Sequence, residues 1–396
     1  MIIKPANRLN SVEEYYFSKK LNEIRVLEQS GVDVINLGIG SPDMAPEEKL
    51  VSKLMKESLN KANHSYQSYT GIEELREAFA SFYNHHFKVS LSKSEFLPLM
   101  GSKEGIMHIS MAFLNSGDGV LIPNPGYPTY EAVSRLLDAN VMRYNLTEKN
   151  NWYPDFKALE KLDLSRVKLM WVNYPNMPTG AKATKELFQE LVDFGLKHQI
   201  LIVNDNPYSF ILNDEQLSIL SANRAKKAAI ELNSLSKSHN MAGWRVGVLA
   251  GNEKYIKTVL QVKSNMDSGM FKPIQLAAVC ALNSDKSWYN TINKVYAKRR
   301  KIVFAMLNAM GFPFDNNQVG MFVWAKINSQ FNNAQQFTDM LLKETGIFIT
   351  PGSVFGSNGN NHIRVSLCAD EMVLNEARKR VSTFINSLKK TELVTA

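Results

Sequence analysis

Lys237 lies in a segment, Ser234–Gly247, whose residue types suit a covalent amine nucleophile. Small hydroxyl residues flank the lysine, and Arg245 follows eight positions later. An amine can form a Schiff base with an aldehyde, while serine hydroxyls and an arginine can hold a phosphate on the same ligand. Most lysines are solvated surface residues, which is the alternative for Lys237 taken alone. The whole segment predicts chemistry on a phosphate-bearing aldehyde.

Two further segments follow apolar runs and could bind such a ligand. Met100–Gly105 begins a predicted helix over 103–114, and the free N–H groups and dipole of a helix N-terminus favour phosphate near Ser102 and Lys103. An ordinary helix cap, with Ser102 as the N-cap residue, fits the same pattern. Tyr127 lies in Pro123–Tyr130, a loop stiffened by three prolines and a glycine. Its ring could stack on a planar heterocycle or simply pack within the loop.

Charged residues at two other strands also need partners. Asp205 follows the apolar run Ile200–Asn204, and a protonated pyridine nitrogen would be one partner for its carboxylate. Tyr208 could then donate to the ring hydroxyl, although Asp205 could instead cap a following helix. Arg364 lies inside the apolar run His362–Leu367, where its planar fork suits a substrate carboxylate. A structural ion pair is the alternative for this arginine.

The elements that must position these residues follow an α/β pattern. Apolar runs of strand length alternate with helical patterns from about residue 45 to 285, which indicates a mostly parallel sheet covered on both faces. The carboxyl ends of parallel strands meet at one edge of a sheet, so the candidate residues are expected to lie together there. A helix over 288–309 then leads to a smaller α+β region. Strands are predicted at Phe96–Met100, Gly119–Ile122, Val167–Asn173, Ile200–Asn204, Ala229–Leu232, Val246–Ala250, Gly320–Ala325 and His362–Ser366, besides a helix over 11–30.

Composition and charge exclude several classes of protein. The chain has 396 residues, of which 44% are hydrophobic and 21% charged, as in ordinary globular proteins of two domains. The net charge is +8, but the basic residues are spread out and no nucleic-acid motif accompanies them. No apolar run is long enough to span a membrane. Cys280 and Cys368 form no Cys-x-x-Cys pair, so neither a disulfide framework nor a metal site is expected, and the cytoplasm is the expected location.

Together, the Ser-x-Ser-Lys and Gly-Trp-Arg-Val-Gly motifs around Lys237 resemble those of fold-type I pyridoxal-phosphate enzymes, specifically class I/II aminotransferases. The match runs from about residue 15 to 390. The resemblance implies a large domain (46–285) with a mostly parallel central sheet flanked by helices, and a smaller α+β domain (286–396). An N-terminal arm (1–45) would belong partly to the smaller domain. It also implies pyridoxal 5'-phosphate as cofactor and a homodimer with shared active sites.

The resemblance also assigns roles to individual residues. Lys237 would be the Schiff-base lysine, Asp205 the partner of the pyridine nitrogen and Tyr208 the donor to the ring hydroxyl. The other implied roles are stacking for Tyr127, phosphate binding for Ser102, Lys103 (through its backbone N–H), Ser234 and Arg245, contact with the partner subunit's phosphate for Tyr66, and binding of the substrate α-carboxylate for Arg364 and Gly40.

Within this family, Gly31–Asp43 and Lys263–Phe271 most resemble the LL-diaminopimelate aminotransferase group. The implied reaction is a ping-pong transfer of an amino group from an amino acid, diaminopimelate or a related one, to a 2-oxo acid, with 2-oxoglutarate as the expected acceptor. A β-lyase acting on sulfur amino acids would use the same lysine and arginine. A non-catalytic cofactor-sensing module would need a DNA-binding domain, for which the match leaves no room. Candidate residues for substrate specificity are Tyr15, which corresponds to a substrate-contacting tyrosine, and Tyr16, Asn22, Met270 and Phe271.

One position departs from the family pattern. The usual Asn-Pro-Thr-Gly motif, whose asparagine donates to the oxygen of the ring hydroxyl, has Met177 in place of that asparagine. Asn176 could substitute for it after a shift of the loop, or Tyr208 could act alone. Because a lost donor to an oxyanion favours the protonated Schiff base, Met177→Asn should lower the Schiff-base pKa.

Overall fold

The computed structural model describes residues 3–395, with side chains through residue 388. The α-helices are α1 (Tyr16–Gln29), α2 (Glu48–Ser58), α3 (Glu73–Phe87), α4 (Ser102–Phe113), α5 (Pro128–Leu136), α6 (Phe156–Leu159), α7 (Lys185–His198), α8 (Leu235–Ser238), α9 (Glu253–Lys263), α10 (Lys272–Leu282), α11 (Lys286–Met310), α12 (Ala334–Thr345) and α13 (Glu371–Thr395). The strands are β1 (Ile35–Asn36), β2 (Phe96–Leu99), β3 (Gly119–Asn124), β4 (Asn140–Asn145), β5 (Val167–Val172), β6 (Leu201–Asp205), β7 (Ala229–Ser234), β8 (Gly247–Gly251), β9 (Phe322–Lys326), β10 (Ile347–Phe348), β11 (Thr350–Pro351) and β12 (His362–Ser366).

A seven-stranded sheet forms the centre of the molecule, in the order β2-β8-β7-β6-β5-β3-β4. Strand β8 runs antiparallel to both β2 and β7, and the other neighbouring pairs are parallel. The predicted mostly parallel sheet is therefore confirmed. The edge strand β4 was not predicted, because its sequence mixes polar and apolar residues and five of its six residues are at least partly exposed. The interior strand β5 has fully buried Leu169, Met170 and Trp171, as expected of a strand covered on both faces.

Two smaller sheets lie outside this central one. Strands β11, β12 and β9 form an antiparallel sheet, and β1 pairs in parallel with β10. The second pairing joins Ile35 to Ile347, so the beginning of the chain lies beside its last third. Helix α1 begins at Tyr16 rather than near residue 11, and Asn7–Ser11 forms a separate 3-10 turn. The boundaries at 45/46 and 285/286 remain predictions.

The beginning of α4 differs from the predicted cap. Gly101 is the N-cap residue, with φ +85°, and Ser102 is the first residue of the helix. The positive φ of Gly101 favours glycine, and a Cβ atom here would lie 2.0 Å from the Arg245 guanidinium and displace it. The Glu104 carboxylate accepts a hydrogen bond from the Met100 backbone N–H at 2.7 Å, and this contact fixes the turn. The prediction of Ser102 as N-cap was wrong by one residue.

Among the helices in the described part of the chain, none is long and apolar enough to cross a membrane.

Candidate functional site

A cavity of about 700 Å³ lies at the carboxyl ends of the parallel strands of the central sheet. Helix α1 and the antiparallel sheet of β9, β11 and β12 also contribute to its wall. The cavity brings together the predicted site residues Tyr15, Gly40, Ser102, Lys103, Tyr127, Asp205, Tyr208, Ser234, Lys237, Arg245 and Arg364. Tyr66 is not among the lining residues.

Asp205 ends β6 at the floor of this cavity and is 5% exposed. Its Oδ2 atom accepts a hydrogen bond from the Tyr130 hydroxyl at 2.9 Å, while its Oδ1 atom is buried without a partner within the described residues. Burial raises the pKa of Asp205 to about 7, which the Tyr130 hydrogen bond partly opposes. The alternative interpretation, in which Asp205 caps a following helix, is wrong. The unpaired Asp205 oxygen instead suits an N–H donor within the cavity.

Lys237 belongs to the short helix α8 that follows β7, and its side chain is half-buried in the cavity. The ammonium donates a hydrogen bond to the Gly40 carbonyl oxygen at 2.6 Å. Burial lowers the pKa of Lys237 to about 8, and the positive charges of Arg364 and Arg245 act in the same direction. A substantial neutral fraction at pH 7–8 makes this amine a competent nucleophile and proton acceptor.

Ser234 and Arg245 lie next to the N-terminus of α4. The Ser234 hydroxyl accepts a hydrogen bond from the Ser236 backbone N–H at 3.1 Å and thereby caps α8. Arg245 adopts a left-handed conformation, with φ +57°, and its guanidinium donates to the Ala242 carbonyl at 2.9 Å. Because Ser102 begins α4 beside this arginine, free backbone N–H groups and a guanidinium converge. This is the composition of an anion-binding site.

Arg364 lies within β12 and is 4% exposed. Its guanidinium lies over the rings of Phe322 and Phe355, at 4.0 and 4.6 Å from their centroids, and donates to the Gly38 carbonyl at 2.6 Å. No carboxylate of the described residues pairs with Arg364, which excludes a structural ion pair among them. Its Nε atom is buried without an acceptor in the same part of the chain. A buried guanidinium in this state is suited to an incoming carboxylate.

Met177 fills the position of the usual asparagine and is buried beside Arg364. Its Sδ atom lies 3.2 Å from the Nη1 atom of that arginine. Asn176 does not replace the missing donor, because its oxygen accepts from the backbone N–H and hydroxyl of Thr179 and its amide donates to the Asn173 carbonyl. Asn176 therefore stabilises the turn, while Asn173 and Met177 line the cavity.

Aromatic and arm residues form the remaining wall. Tyr127 lines the cavity edge-on to Tyr130, with their centroids 5.5 Å apart. Tyr208 is buried and contacts Phe322. Tyr15 lies under the Lys103 ammonium, which is 4.5 Å from the ring centroid. Burial and the neighbouring Tyr127 raise the pKa of Tyr15 above its usual value, so its hydroxyl stays protonated.

The residues suggested for substrate specificity divide into two groups. Tyr15 and Asn22 line the cavity. Tyr16, Met270 and Phe271 do not: Met270 packs in the core, and Phe271 lies against His64. These three expectations are wrong for the cavity of the described protomer.

Tyr66 is 90% exposed and lies away from this cavity. A tyrosine so exposed contributes nothing to the site of its own protomer. Its expected contact with a partner subunit therefore stays a prediction.

Sequence reasoning missed several cavity residues. Tyr130 belongs to the same loop segment as Tyr127, and the need of buried Asp205 for a donor was the signal that could have identified it. Phe322 and Arg25 gave no local signal, because their place in the wall depends on how β9 and α1 pack against the central sheet.

A separate acidic cluster lies beside α4. Ligand atoms of Glu104, His108 and Asp267 lie within 4.8 Å of one another. The buried Lys263 ammonium lies 2.9 Å from Asp267 and already supplies a positive charge there. The cluster is therefore better described as a buried ion-pair network than as a metal centre.

The cavity fits pyridoxal 5'-phosphate. The unpaired Asp205 oxygen matches a pyridinium N–H, and the N-terminus of α4 with Arg245 matches a phosphate. Lys237 lies in the same cavity and can reach an aldehyde between these two ends. The donor set thus agrees with the cofactor that the sequence motifs imply.

Comparisons with known proteins agree with this geometry. Residues 32–381 match the family model described as aminotransferase class I and II. An LL-diaminopimelate aminotransferase of Nitratidesulfovibrio vulgaris is 37% identical over 384 residues, covering 96% of this chain and 98% of the relative. A second enzyme of that name, from Dehalococcoides mccartyi, is 38% identical over 388 residues and covers 96% and 99% of the two chains.

Solved structures are similar over nearly the whole chain as well. The apo structure of BacF from Bacillus subtilis has a TM-score of 0.93 at 34% identity and covers 97% of this chain and 98% of that one. An aminotransferase from Staphylococcus aureus has a TM-score of 0.88 at 31% identity, with 96% and 99% covered. The chain belongs to the class I and II aminotransferases, and it is a pyridoxal-phosphate-dependent enzyme of fold type I.

Proposed function

We propose that the protein transfers an amino group from LL-diaminopimelate to 2-oxoglutarate. The enzymes of Nitratidesulfovibrio vulgaris and Dehalococcoides mccartyi that bear the name LL-diaminopimelate aminotransferase support this donor. The observation that carries the proposal is the convergence of Lys237, Asp205 and Arg364 in one cavity. Each of the three has an unusual buried environment that a cofactor or a substrate would complete.

Substrate orientation is assigned to Arg364 and Gly40. The guanidinium would receive the α-carboxylate in a bidentate contact, supported from below by Phe322 and Phe355. The backbone N–H of Gly40 would add a second donor to the same group. A Cβ atom on Gly40 would lie 2.1 Å from the Phe322 ring, so this close approach requires glycine. Such an arrangement fixes the substrate Cα relative to Lys237.

Proton transfer is assigned to Lys237. When bound, the cofactor supplies an electron sink, and Asp205 keeps its pyridine nitrogen protonated by accepting that N–H. Tyr208 would donate to the ring hydroxyl and Tyr127 would cover the ring face. The Lys237 amine would take the proton from the substrate Cα and deliver it to the C4′ carbon of the cofactor. Ser102, the Lys103 backbone N–H, Ser234 and Arg245 would hold the phosphate.

The protein is proposed to work as a homodimer in the cytoplasm. A role for Tyr66 in trans would explain why so large an apolar ring is 90% exposed. Mixed dimers of Lys237→Ala and Tyr66→Ala chains test this role, because one of their two sites would contain both native residues. Activity above that of either variant supports a shared site, and activity equal to their average contradicts it. Both cysteines are free, which suits a reducing compartment.

The test of the proposed function is an amino-acid panel. The cofactor-loaded protein is mixed with each of the twenty amino acids and with LL-diaminopimelate, and bleaching of the cofactor absorbance is followed. We expect the fastest bleaching with LL-diaminopimelate and recovery of the absorbance on adding 2-oxoglutarate. Bleaching by another amino acid alone would assign a different donor.

Two controls accompany this panel. Lys237→Ala should abolish bleaching, whereas Lys257→Ala, which removes a solvent-exposed lysine of α9, should not. Release of pyruvate and ammonia without a 2-oxo acid acceptor would instead identify a β-lyase, and it would contradict the proposed transfer.

A further inference from the structure

Charge in the cavity wall is strongly unbalanced. Of the described lining residues, Asp205 is the only carboxylate, whereas Arg25, Lys103, Lys237, Arg245 and Arg364 are all basic. A wall of this kind favours a ligand with several negative charges.

The proposed roles use most of these basic groups. Arg245 faces the phosphate end, Arg364 is assigned to the α-carboxylate and Lys237 to the reaction. The Lys103 ammonium lies over the Tyr15 ring. Arg25 has neither a proposed ligand nor an ion-pair partner or aromatic contact among the described residues. It therefore remains free to bind a further anionic group.

Helix α1 presents Arg25 to the cavity together with polar neighbours. Ser18, Asn22 and Arg25 are spaced four and three residues apart, so they share one face of the helix, and all three line the cavity. The Asn22 amide can supply hydrogen bonds beside the guanidinium, whereas the Ser18 hydroxyl donates to the Glu14 carboxylate at 2.7 Å. Leu21 lines the cavity from the same face, so Asn22 and Arg25 are the polar groups that this helix offers at the outer part of the wall.

The spacing along α1 sets the distance between the two carboxylate sites. Phe17 contacts the Arg364 guanidinium, 5.4 Å from its ring centroid. Arg25 follows eight residues later, which corresponds to a rise of about 12 Å along the helix. A substrate held by Arg364 would therefore need several carbon atoms before its far end comes within reach of the Arg25 side chain.

We propose that Arg25, with Asn22, binds the distal carboxylate of a long-chain dicarboxylic substrate. This inference rests on the proposed function, since it assumes that Arg364 receives the α-carboxylate. It makes Arg25 a residue that determines specificity at the outer end of the cavity, while the inner end recognises the amino-acid group common to all donors.

Equilibrium binding of two seven-carbon acids tests the assignment without turnover. Pimelate carries two carboxylates and heptanoate only one, and neither has an amine that could react with the cofactor. Titration calorimetry on the cofactor-loaded protein gives the ratio of their dissociation constants. We expect Arg25→Ala to reduce the preference for pimelate over heptanoate at least tenfold, and Arg25→Lys to reduce it less.

Arg378→Ala is the matched control, because it removes one exposed arginine from α13, away from the cavity. It should leave the preference unchanged, which separates a local contact from a change in net charge. The proposal is overturned if Arg25→Ala leaves the preference intact, or if Arg378→Ala lowers it equally. Since the calorimetry requires no catalysis, a failure of the amino-acid panel would contradict the proposed function without deciding this result.

Discussion

The Lys237 ammonium donates a hydrogen bond to the carbonyl oxygen of Gly40, 197 residues earlier in the chain. The contact holds the amine toward the cavity and ties α8 to the segment that follows β1. Burial at this point lowers the pKa of Lys237 to about 8. The lysine is thus held near its reactive position and is partly neutral near physiological pH.

The rate of cofactor capture should report this pKa. The neutral amine is the nucleophile, so the rate constant for binding of pyridoxal phosphate to the cofactor-free protein should rise about tenfold per pH unit below pH 8 and level off above it. Stopped-flow absorbance between pH 6 and 10 measures it. A rate that keeps rising to pH 10 would indicate an ordinary lysine.

Asp205 should make the stability of the cofactor-free protein depend on pH. Its folded-state pKa of about 7 is higher than the value of about 3.9 expected in the unfolded chain. Stability from such a group is fully present below about pH 4 and is lost as the pH rises through 7. Cofactor-free Asp205→Asn should therefore exceed the wild type in free energy of unfolding at pH 8, by at most about 4 kcal/mol. Urea unfolding at pH 5.5 and 8 measures the difference, and a gap equal at both pH values would contradict this account.

Arg364→Lys should impair substrate binding while leaving the cofactor in place. The lysine keeps the positive charge but cannot make the two parallel hydrogen bonds of the planar guanidinium. Losing a hydrogen bond to the substrate carboxylate costs about 1.5–3 kcal/mol of binding free energy, so kcat/KM for the amino donor should fall roughly 10- to 100-fold. Steady-state kinetics gives this value, and the absorbance spectrum checks cofactor content. Loss of cofactor with unchanged kinetics per bound cofactor would instead assign Arg364 a structural role.

Met177→Asn should change the titration of the bound cofactor. The thioether cannot donate a hydrogen bond, whereas an asparagine at this buried position could donate to the ring oxygen and stabilise its ionised form. We therefore expect Met177→Asn to lower the pKa of the Schiff base, measured by spectrophotometric titration of the loaded enzyme. Met177→Leu, which has similar size and no donor, is the control and should keep the wild-type value. An unchanged or raised pKa in Met177→Asn would refute the hypothesis.

Local sequence predicted the parts of this site that depend on short segments. The motif around Lys237, the position of Asp205 at a strand end and the placement of Arg364 within an apolar strand each involve neighbouring residues, and all three lie in the cavity. The strand–helix alternation likewise predicted the mostly parallel sheet, because the period of apolar residues reflects which faces are covered.

Tertiary structure alone decided the contacts between distant segments. The approach of Met177 to Arg364, the hydrogen bond from Tyr130 to Asp205 and the place of Arg25 in the wall join residues that no sequence period relates. It also decided that Met270 packs in the core rather than in the cavity. Sequence by itself thus determined the cofactor chemistry, since a few side chains of fixed type are enough for it. The packing of α1 and the smaller sheets against the central one decided the shape and charge of the substrate end, because these depend on how whole elements meet.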